Sequence, residues 1–530
     1  MTFVVTQNCC NDATCVQVCP VDCIHPAPGE PGYATTEMLY IDPNTCIDCG
    51  ACADVCPVEA ISPDDSLSGL DLRYLDVNAD FYTRDAGQSV ILPTPVVPPK
   101  VTAAVDASVL RVAIIGSGPS ACYAAEEVLS RRDIRTEVTM IERLPFAGGL
   151  VRYGVAPDHS KTKGVDKTFT RTIRRSGMSF YLNVEVGCHL SLDEVAAHHH
   201  AVIVATGATE DRRLGIEGES LPGVVSAREF VAWYNGHPDY ADLEFDLSAE
   251  RVVVVGNGNV ALDVARVLVA DIDYLRGTDI ADHALDALAR SAVREVVVLG
   301  RRGPEAAAGT VPELLGLAGL SGVDVLVDGD VAVDEDATYK QGLLAEYAAA
   351  QPTAGNRRII FRFNSAPEEI LGESQVSGIR LAGLDGPSDL ACGLVLRSIG
   401  YRGAPFPGLP FDEARGTIAN LEGRVVNTAT GSPVAGRYVT GWIKRGPSGV
   451  IGTNRVCAQQ TVEALIADFA SGALSDPNSD AEVFDALVKD RRPTAMTAAD
   501  WFTVDRHERS AGRKQRRPRV KLLDPRPALT

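Results

Sequence analysis

The stretch Leu110-Arg-Val-Ala-Ile-Ile-Gly116-Ser-Gly118-Pro-Ser-Ala121, continuing to Met140-Ile-Glu142, decides the fold. Val112 to Ile115 is a short apolar run of the kind that forms a buried parallel strand. It turns at Gly116 and Gly118 into an Ala-rich helix, and a second apolar run, Val138 to Ile141, ends on Glu142. Lacking a Cβ, Gly116 can make the tight turn and Gly118 lets a pyrophosphate approach the backbone. The helix N-terminus then offers it free N–H groups and a positive dipole end. Ala121 fills the third fingerprint position, where a small residue lets helix and strand pack closely. Glu142 follows at the distance where an acid binds ribose hydroxyls. Strand, turn, helix and acid together predict a dinucleotide site. The glycine turn alone would be no more than a structural bend in an α/β domain.

A second unit of this kind begins at Arg251, reading Val-Val-Val-Val-Gly256-Asn-Gly258-Asn-Val-Ala261. Asn257, Asn259 and Val260 line its turn. The next predicted strand, Glu295 to Leu299, ends not on an acid but on Gly300-Arg301-Arg302-Gly303. Guanidinium groups match phosphate oxygens bidentately, so Arg301 and Arg302 favour a 2′-phosphate and NADP(H) over NAD(H). Ala270 to Ser291 reads as an inserted polar helical segment. A third glycine-rich stretch runs from Tyr438 through Gly441-Trp442 and Gly449-Val450-Ile451-Gly452 into a helix of Arg455 to Phe469. That helix N-terminus suits the electron-rich edge of a reduced flavin, and Trp442 is placed to cover the rings.

The remaining chemistry lies at the front of the chain. Of 13 cysteines, nine precede residue 60. Cys46-x2-Cys49-x2-Cys52-x3-Cys56-Pro57 is the bacterial iron–sulfur run whose fourth cysteine ligates the other cluster. Cys9-Cys10-x4-Cys15-x3-Cys19-Pro20-x2-Cys23 is a looser partner. Exchanging one ligand each, Cys46, Cys49, Cys52 and Cys19 hold one [4Fe–4S] cluster. Cys9 (with Cys10 as its alternative), Cys15 and Cys56 hold the other. Three clear ligands suit a [3Fe–4S] cluster there; a [4Fe–4S] cluster would take a fourth thiolate from Cys10 or Cys23. Cys23 reads as a free buried thiol. Zinc fits less well, since zinc ribbons favour two separated CxxC pairs. Met1 to Ile61 carries acids but no Lys or Arg, a surface suited to a basic redox partner.

Bulk properties exclude other classes. A chain of 530 residues with 45% apolar and 23% charged residues is an ordinary globular protein of several domains. Its net charge of −20 argues against nucleic-acid binding. No apolar run is long enough to span a membrane and no signal peptide is visible, so the expected compartment is the cytoplasm. Ser62 to Asp85 is expected to hold a short docking helix, and Pro93, Pro95, Pro98 and Pro99 mark an extended connector. The His198-His199-His200 triplet reads as surface. The tail, with nine basic residues from Arg506 onward, reads as solvated, or else as docking on the acidic N-terminal module.

The N-terminal segment resembles the seven-iron bacterial ferredoxins, in phrases such as Cys19-Pro-Val-Asp-Cys23-Ile and Cys56-Pro-Val-Glu-Ala-Ile. Residues 110 to 472 resemble the adrenodoxin-reductase family of ferredoxin–NADP reductases, in GSGPSA, LVRYGVAPDH, VVGNGNVALDVAR, GRRGP and GWIKRGPSGVIGTN. The resemblance implies FAD contacts at Ala121, Glu142, Leu150, Val186, Trp442 and the Gly449, Val450 and Ile451 backbone. It implies NADP contacts at Asn257 to Val260, Arg301, Arg302, Glu313 and Gly449, and sets His159 and Glu313 beside the reacting rings. The expected fold class is α/β: two Rossmann-like dinucleotide-binding domains, preceded by a small α+β ferredoxin domain. The expected layout is ferredoxin (1–61), extension and linker (62–108), FAD domain (109–208 and 405–490), NADP domain inserted within it (209–404) and basic tail (491–530). The implied activity passes electrons between NADP(H), FAD and iron–sulfur clusters, with an external ferredoxin or other one-electron carrier as partner. An electron-input subunit of a larger synthase, like the small subunit of glutamate synthase, and a non-catalytic redox sensor are the alternatives.

Overall fold

A computed structural model describes residues 2–85, 109–334, 336–384 and 386–529. The proline-rich connector expected at 86–108 lies outside the described residues. Two sheets carry the molecule. The first has eight strands, centred on Val109–Ile115 between Arg135–Glu142 and Ala201–Val204, all parallel. Its far side is completed by Pro433–Val439, parallel to Ala201–Val204, so the chain leaves this sheet after residue 204 and returns more than 200 residues later. The second sheet has six parallel strands in the order Val224–Ser226, Leu394–Arg397, Arg251–Val255, Glu295–Leu299, Arg357–Arg362 and Val323–Asp328. The central strands of both are buried on both faces, which is why they read as unbroken Val/Ile runs.

The N-terminal module is built from two matched halves. Helix Thr14–Val18 and helix Ala51–Val55 pack on each other between two two-stranded ribbons, Phe3–Val5 with Ile61–Pro63 and Ile24–His25 with Tyr40–Ile41. Helix Arg73–Asp85 closes the module. Asn78, almost fully buried, accepts from the N–H groups of Val5 and Ile41 and donates to the Val5 carbonyl. The same helix begins with Arg73, which forks onto Glu346 with both contacts at 2.8 Å. The expected docking helix therefore belongs to the iron–sulfur module and clasps the second sheet's domain.

Two expectations fail. The histidine triplet is not surface: His199 and His200 are buried. His199 bridges the Val195 carbonyl and the Thr139 hydroxyl, and burial pushes its pKa down to about 4. His200 accepts from the Arg111 N–H. The triplet ends the helix that feeds the strand Ala201–Val204, so its rings turn inward with that strand.

Nor is the C-terminal segment a solvated tail or a ferredoxin-docking arm. Ala498–Lys514 is a helix whose Trp501 and Val504 are buried against the first sheet's domain. Its Glu508 is wholly buried and accepts two bonds from Arg152, at 2.6 and 2.8 Å. Further on, Arg517 bonds Asp282 and the carbonyl of Thr278 in the second sheet's domain. Lys521 bonds Asn235 at 2.8 Å and lies 3.4 Å from Asp279, which also holds Lys163 at 2.6 Å. Of the basic residues, Arg519 and Lys521 reach the buried acids Glu508 and Asp279, and with Arg517 they strap the two dinucleotide domains together. The segment 270–291, expected as a polar insertion, supplies these anchors through helices Ile272–Arg276 and Asp282–Ala289.

Removing one partner of a buried ion pair strands the other charge. Glu508→Ala should therefore cost about 3–5 kcal/mol of stability, read by chemical denaturation; a loss below about 1 kcal/mol would mean that Arg152 is not dependent on this partner. The two lysines hold the carboxyl of Asp279 down to about 2, while burial pushes both ammonium groups down. A depressed acid stabilises the fold above its unfolded value and loses that contribution as pH falls through its folded value. The melting difference between the wild type and Asp279→Asn should be steady above about pH 4 and vanish toward about pH 2. A difference that persists at pH 2 would rule out this linkage.

Candidate functional site

The two fingerprint turns adopt nearly the same backbone. Gly116 has φ 108° and Gly256 φ 111°. In that left-handed conformation a side chain would also collide: a Cβ would come within 2.6 Å of the Ala205 carbonyl oxygen at Gly116 and within 2.2 Å of the Ser398 oxygen at Gly256. Gly118 (φ −74°, ψ −177°) and Gly258 (φ −82°, ψ 176°) cap the helices Pro119–Leu129 and Asn259–Val269. Neither cap residue has a side chain to occupy the free N–H groups, which are left for a ligand.

Both turns open into one cavity of about 1680 Å³. It gathers Gly116, Gly118, Glu142, Leu150, Val186, Trp442, Gly449, Val450 and Ile451 from the first unit. From the second it gathers Gly256, Asn257, Gly258, Asn259, Val260, Arg301, Arg302 and Glu313, with His159 between the two sets. Ala121 is the exception: it is fully buried and does not line the cavity, so the expected flavin contact is instead helix-to-strand packing.

Glu142 is buried, which pushes its carboxyl upward. It accepts from the Ser117 N–H at 3.0 Å, the Ser117 hydroxyl at 2.7 Å and the Leu144 N–H at 2.9 Å. Fixed at the strand end, it retains lone pairs for ribose hydroxyls. Gly149, opposite, is necessarily bare, because a Cβ would lie 2.7 Å from the Gly118 Cα. Trp442 stacks on Tyr401 with ring centres 5.8 Å apart and donates to the Ser448 carbonyl. Asn257 and Asn259 accept from the N–H groups of Ala308 and Thr310, tying the second turn to the next loop. Arg301 and Arg302 are exposed and make no ion pair among the described residues. Guanidinium groups with free forks suit a phosphate.

His159 and Glu313 face each other across 3.7 Å, too far for a hydrogen bond. The buried His159 Nε2 has no hydrogen-bond partner. Glu313 stands in the first turn of helix Val311–Leu317, directly after Pro312, whose missing N–H is harmless at that position. Burial pushes its carboxyl upward. Behind it the buried Arg266 bonds both Asp158 and Asp263, and so fixes the acids around this pair. A polar atom left without a partner in a cavity wall fits a site that a ligand completes.

The cysteines form two sets. Cys19, Cys46, Cys49 and Cys52 line one small pocket together with Cys23, whose Sγ lies 3.5 Å from that of Cys19. Cys15 lies within electrostatic reach of Cys9 and Cys56, and Cys9 and Cys10 lie in the wall of the large cavity. Burial pushes the Cys9 thiol up to about 12 and the Cys52 thiol up to about 11. Such thiols become thiolates only with cations among them, as iron would provide. No three cysteine sulfurs among the described residues lie within 4.8 Å of one another, wider than the roughly 3.8 Å of thiolates on one tetrahedral zinc.

The contact between module and cavity went unforeseen. The Gly452 N–H donates to the Cys10 carbonyl at 2.7 Å, and a Cβ on Gly452 would lie 2.1 Å from the backbone of Asn11. Arg455 donates to the Asp12 carbonyl and the Thr14 hydroxyl. On the other flank Glu37 accepts from Lys340 at 2.5 Å and from the Val311 N–H at 2.7 Å. These residues are hundreds of positions apart, and no local pattern marks them.

Comparisons with known proteins agree with this geometry. Residues 110–302 match the pyridine nucleotide-disulphide oxidoreductase family and residues 39–62 the 4Fe-4S binding domain. A probable ferredoxin/ferredoxin–NADP reductase of Mycobacterium tuberculosis is 50% identical over 99% of this chain and 94% of its own length. The counterpart in Mycobacterium leprae is 47% identical over 99% and 96%. The solved structure of Mycobacterium tuberculosis FprA in complex with NADPH superposes with a TM-score of 0.76 at 44% identity, covering 80% of this chain and 99% of that one. No helix among the described residues is long and apolar enough to cross a membrane. The chain belongs to the ferredoxin/ferredoxin–NADP reductase family.

Proposed function

We propose that this oxidoreductase runs its electrons through one continuous site, from NADP(H) at the second fingerprint, by FAD at the first, to two clusters in its own ferredoxin module. The observation that carries this is the shared cavity wall. Cys9 and Cys10 line the same space as Glu142, Trp442, Arg301 and Glu313. When bound, NADP(H) and FAD supply hydride chemistry and its conversion to one-electron chemistry, and the iron–sulfur clusters supply one-electron carriage.

The chain's own groups bind and orient. Gly116, Gly118 and the N-terminus of helix Pro119–Leu129 receive the FAD pyrophosphate, and Glu142 its ribose hydroxyls. Leu150, Val186, Trp442 and the backbone of Gly449, Val450 and Ile451 wall the flavin. Gly256 to Val260 receive the NADP(H) pyrophosphate, and Arg301 and Arg302 its 2′-phosphate. Hydride transfer needs no side-chain acid, so His159 and Glu313 act as positioning groups at the nicotinamide. Cys19, Cys46, Cys49 and Cys52 hold a [4Fe–4S] cluster at the outer end of the module. There Cys49 and Ile47 are exposed, Ile47 at 58%, with Asp22, Asp48 and Asp54 also on the surface. A one-electron carrier with basic residues fits that end, and an external ferredoxin is the other candidate. Cys9, Cys15 and Cys56 hold the second cluster at the inner end.

An anaerobic NADPH titration that follows flavin absorbance and cluster EPR together tests the relay. Flavin bleaching without any cluster signal would exclude internal transfer. Replacing Arg301 and Arg302 by alanine removes charge-assisted bonds of about 1.5–3 kcal/mol. The KM for NADPH should then rise by one to two orders of magnitude with kcat nearly unchanged, and the preference over NADH should collapse. Gly452→Val should lift the module off its seat. Displacement on the order of 1 Å can cost 100-fold in a positioned reaction, so cluster reduction should slow far more than flavin reduction. Equal slowing of both would point to damage at the flavin instead.

A further inference from the structure

The module repeats itself at an offset of 37 residues. Cys9, Cys15 and Cys19 correspond to Cys46, Cys52 and Cys56, and Pro20-Val21 to Pro57-Val58. The backbone keeps the same register. Asn11 and Asp48 both have φ 57°, Ala13 and Gly50 have φ 56° and 73°, and Asp22 and Glu59 have φ 51° and 52°. Helix Thr14–Val18 maps onto Ala51–Val55, and the caps Cys19 (φ −71°, ψ 117°) and Cys56 (φ −67°, ψ 113°) agree. Even the bonds to sulfur repeat: Cys23 N–H to Cys19 Sγ at 3.4 Å, Ala60 N–H to Cys56 Sγ at 3.3 Å.

In this register the counterpart of Cys49 is Asp12. The two spare cysteines fall elsewhere: Cys10 matches Ile47 and Cys23 matches Ala60, residues that ligate nothing. We propose that a carboxylate oxygen of Asp12 is the fourth ligand of the inner cluster, beside Cys9, Cys15 and Cys56. The inner site then holds a four-iron cluster with one oxygen ligand. This rests on the iron–sulfur reading of the module.

Three further observations support the assignment. The carboxylate lies close enough to act electrostatically on Cys9, Cys15 and Cys56 alike. No Lys, Arg or His pairs with it among the described residues; Arg455, its nearest basic neighbour by hydrogen bonding, goes to its backbone carbonyl. Among the described residues its side chain bonds only Thr14, through the hydroxyl at 2.5 Å and the N–H at 3.3 Å, and a carboxylate has lone pairs left for iron. A carboxylate is a harder ligand than a thiolate and holds iron less firmly against it. That corner should therefore lose and regain its iron readily. A reduced three-iron core that takes up one ferrous ion becomes the four-iron core without any electron transfer.

The test is made on the full-length flavoprotein, reconstituted anaerobically with iron and sulfide. Iron is counted per chain and the clusters are read by EPR and Mössbauer spectroscopy, with circular dichroism and flavin content as checks on folding. In the wild type, brief oxidation should produce the EPR signal of an oxidised three-iron core; NADPH, supplying one electron per core, together with excess ferrous ion should then rebuild the four-iron core, read by Mössbauer spectroscopy and by iron count. Under the same treatment Asp12→Ala should remain a three-iron core in the Mössbauer spectrum and contain one iron fewer per chain. Asp12→Cys should retain the four-iron form through oxidation. The proposal is overturned if Asp12→Ala regains its fourth iron as the wild type does, or if Asp12→Cys remains a three-iron site. A folded chain in which neither cysteine set takes up iron would overturn it together with the iron–sulfur reading. A normal outer cluster beside an unresponsive inner site overturns the Asp12 assignment alone.

Discussion

One backbone hydrogen bond, from Gly452 to Cys10, sets the terms for the rest of the molecule. It can form only because residue 452 has no side chain, since a single carbon there would occupy the space of Asn11. Main chain meeting main chain is the shortest approach two segments can make. The loop that walls the flavin half of the cavity and the loop that carries Cys9 and Cys10 thus become one surface. A cofactor on one side and a cluster on the other need no swinging arm. The pairs Glu37–Lys340 and Arg73–Glu346 hold the module's other flank, so it is wedged against both dinucleotide domains rather than merely tethered to them.

That rigidity comes with a matching one beneath. A chain that leaves a sheet for some 200 residues and then returns would by default let its two domains move against each other. Here the C-terminal segment removes that freedom by burying Glu508 against Arg152 in one domain and Lys521 against Asp279 and Asn235 in the other. Buried charges carry a desolvation cost, and their geometry must be good for them to be tolerated. What such pairs supply above all is direction, because an apolar strap could slide and a bidentate one cannot.

The fold was legible because it is written in local patterns. Glycine turns, apolar strand runs and cysteine spacings each occupy a few consecutive residues, and in combination they narrow to one fold. The glycines, Glu142, Arg301 and Arg302 of the cavity were legible on the same ground, whereas Leu150, Val186, His159 and Glu313 came only from the family resemblance. What escaped was non-local or relational. Glu508 looks like one acid among arginines until Arg152, 356 positions away, is beside it. The histidines look polar until their strand turns them into the core. Gly452 is one glycine among several in its loop. Ala121 keeps the packing role that its size implied, and only the flavin contact implied by the family resemblance is missing from the cavity wall. Asp12 was in plain sight, but only a comparison of the chain with itself, at a fixed offset, distinguishes it from any other aspartate.

The strap also bears on how the chain is made. Synthesis proceeds from the N-terminus, and domains generally fold in that order. The cysteine module emerges first, and the inserted six-stranded sheet, closed within one continuous segment, can form while later residues are still being added. The first sheet must wait for Pro433–Val439, and the seat between the two domains stays open until Lys521 arrives, 286 residues after its partner Asn235. Until then Asp279 and Lys163 lack the third charge of their buried cluster, so the joint between the two domains is completed only by the strap.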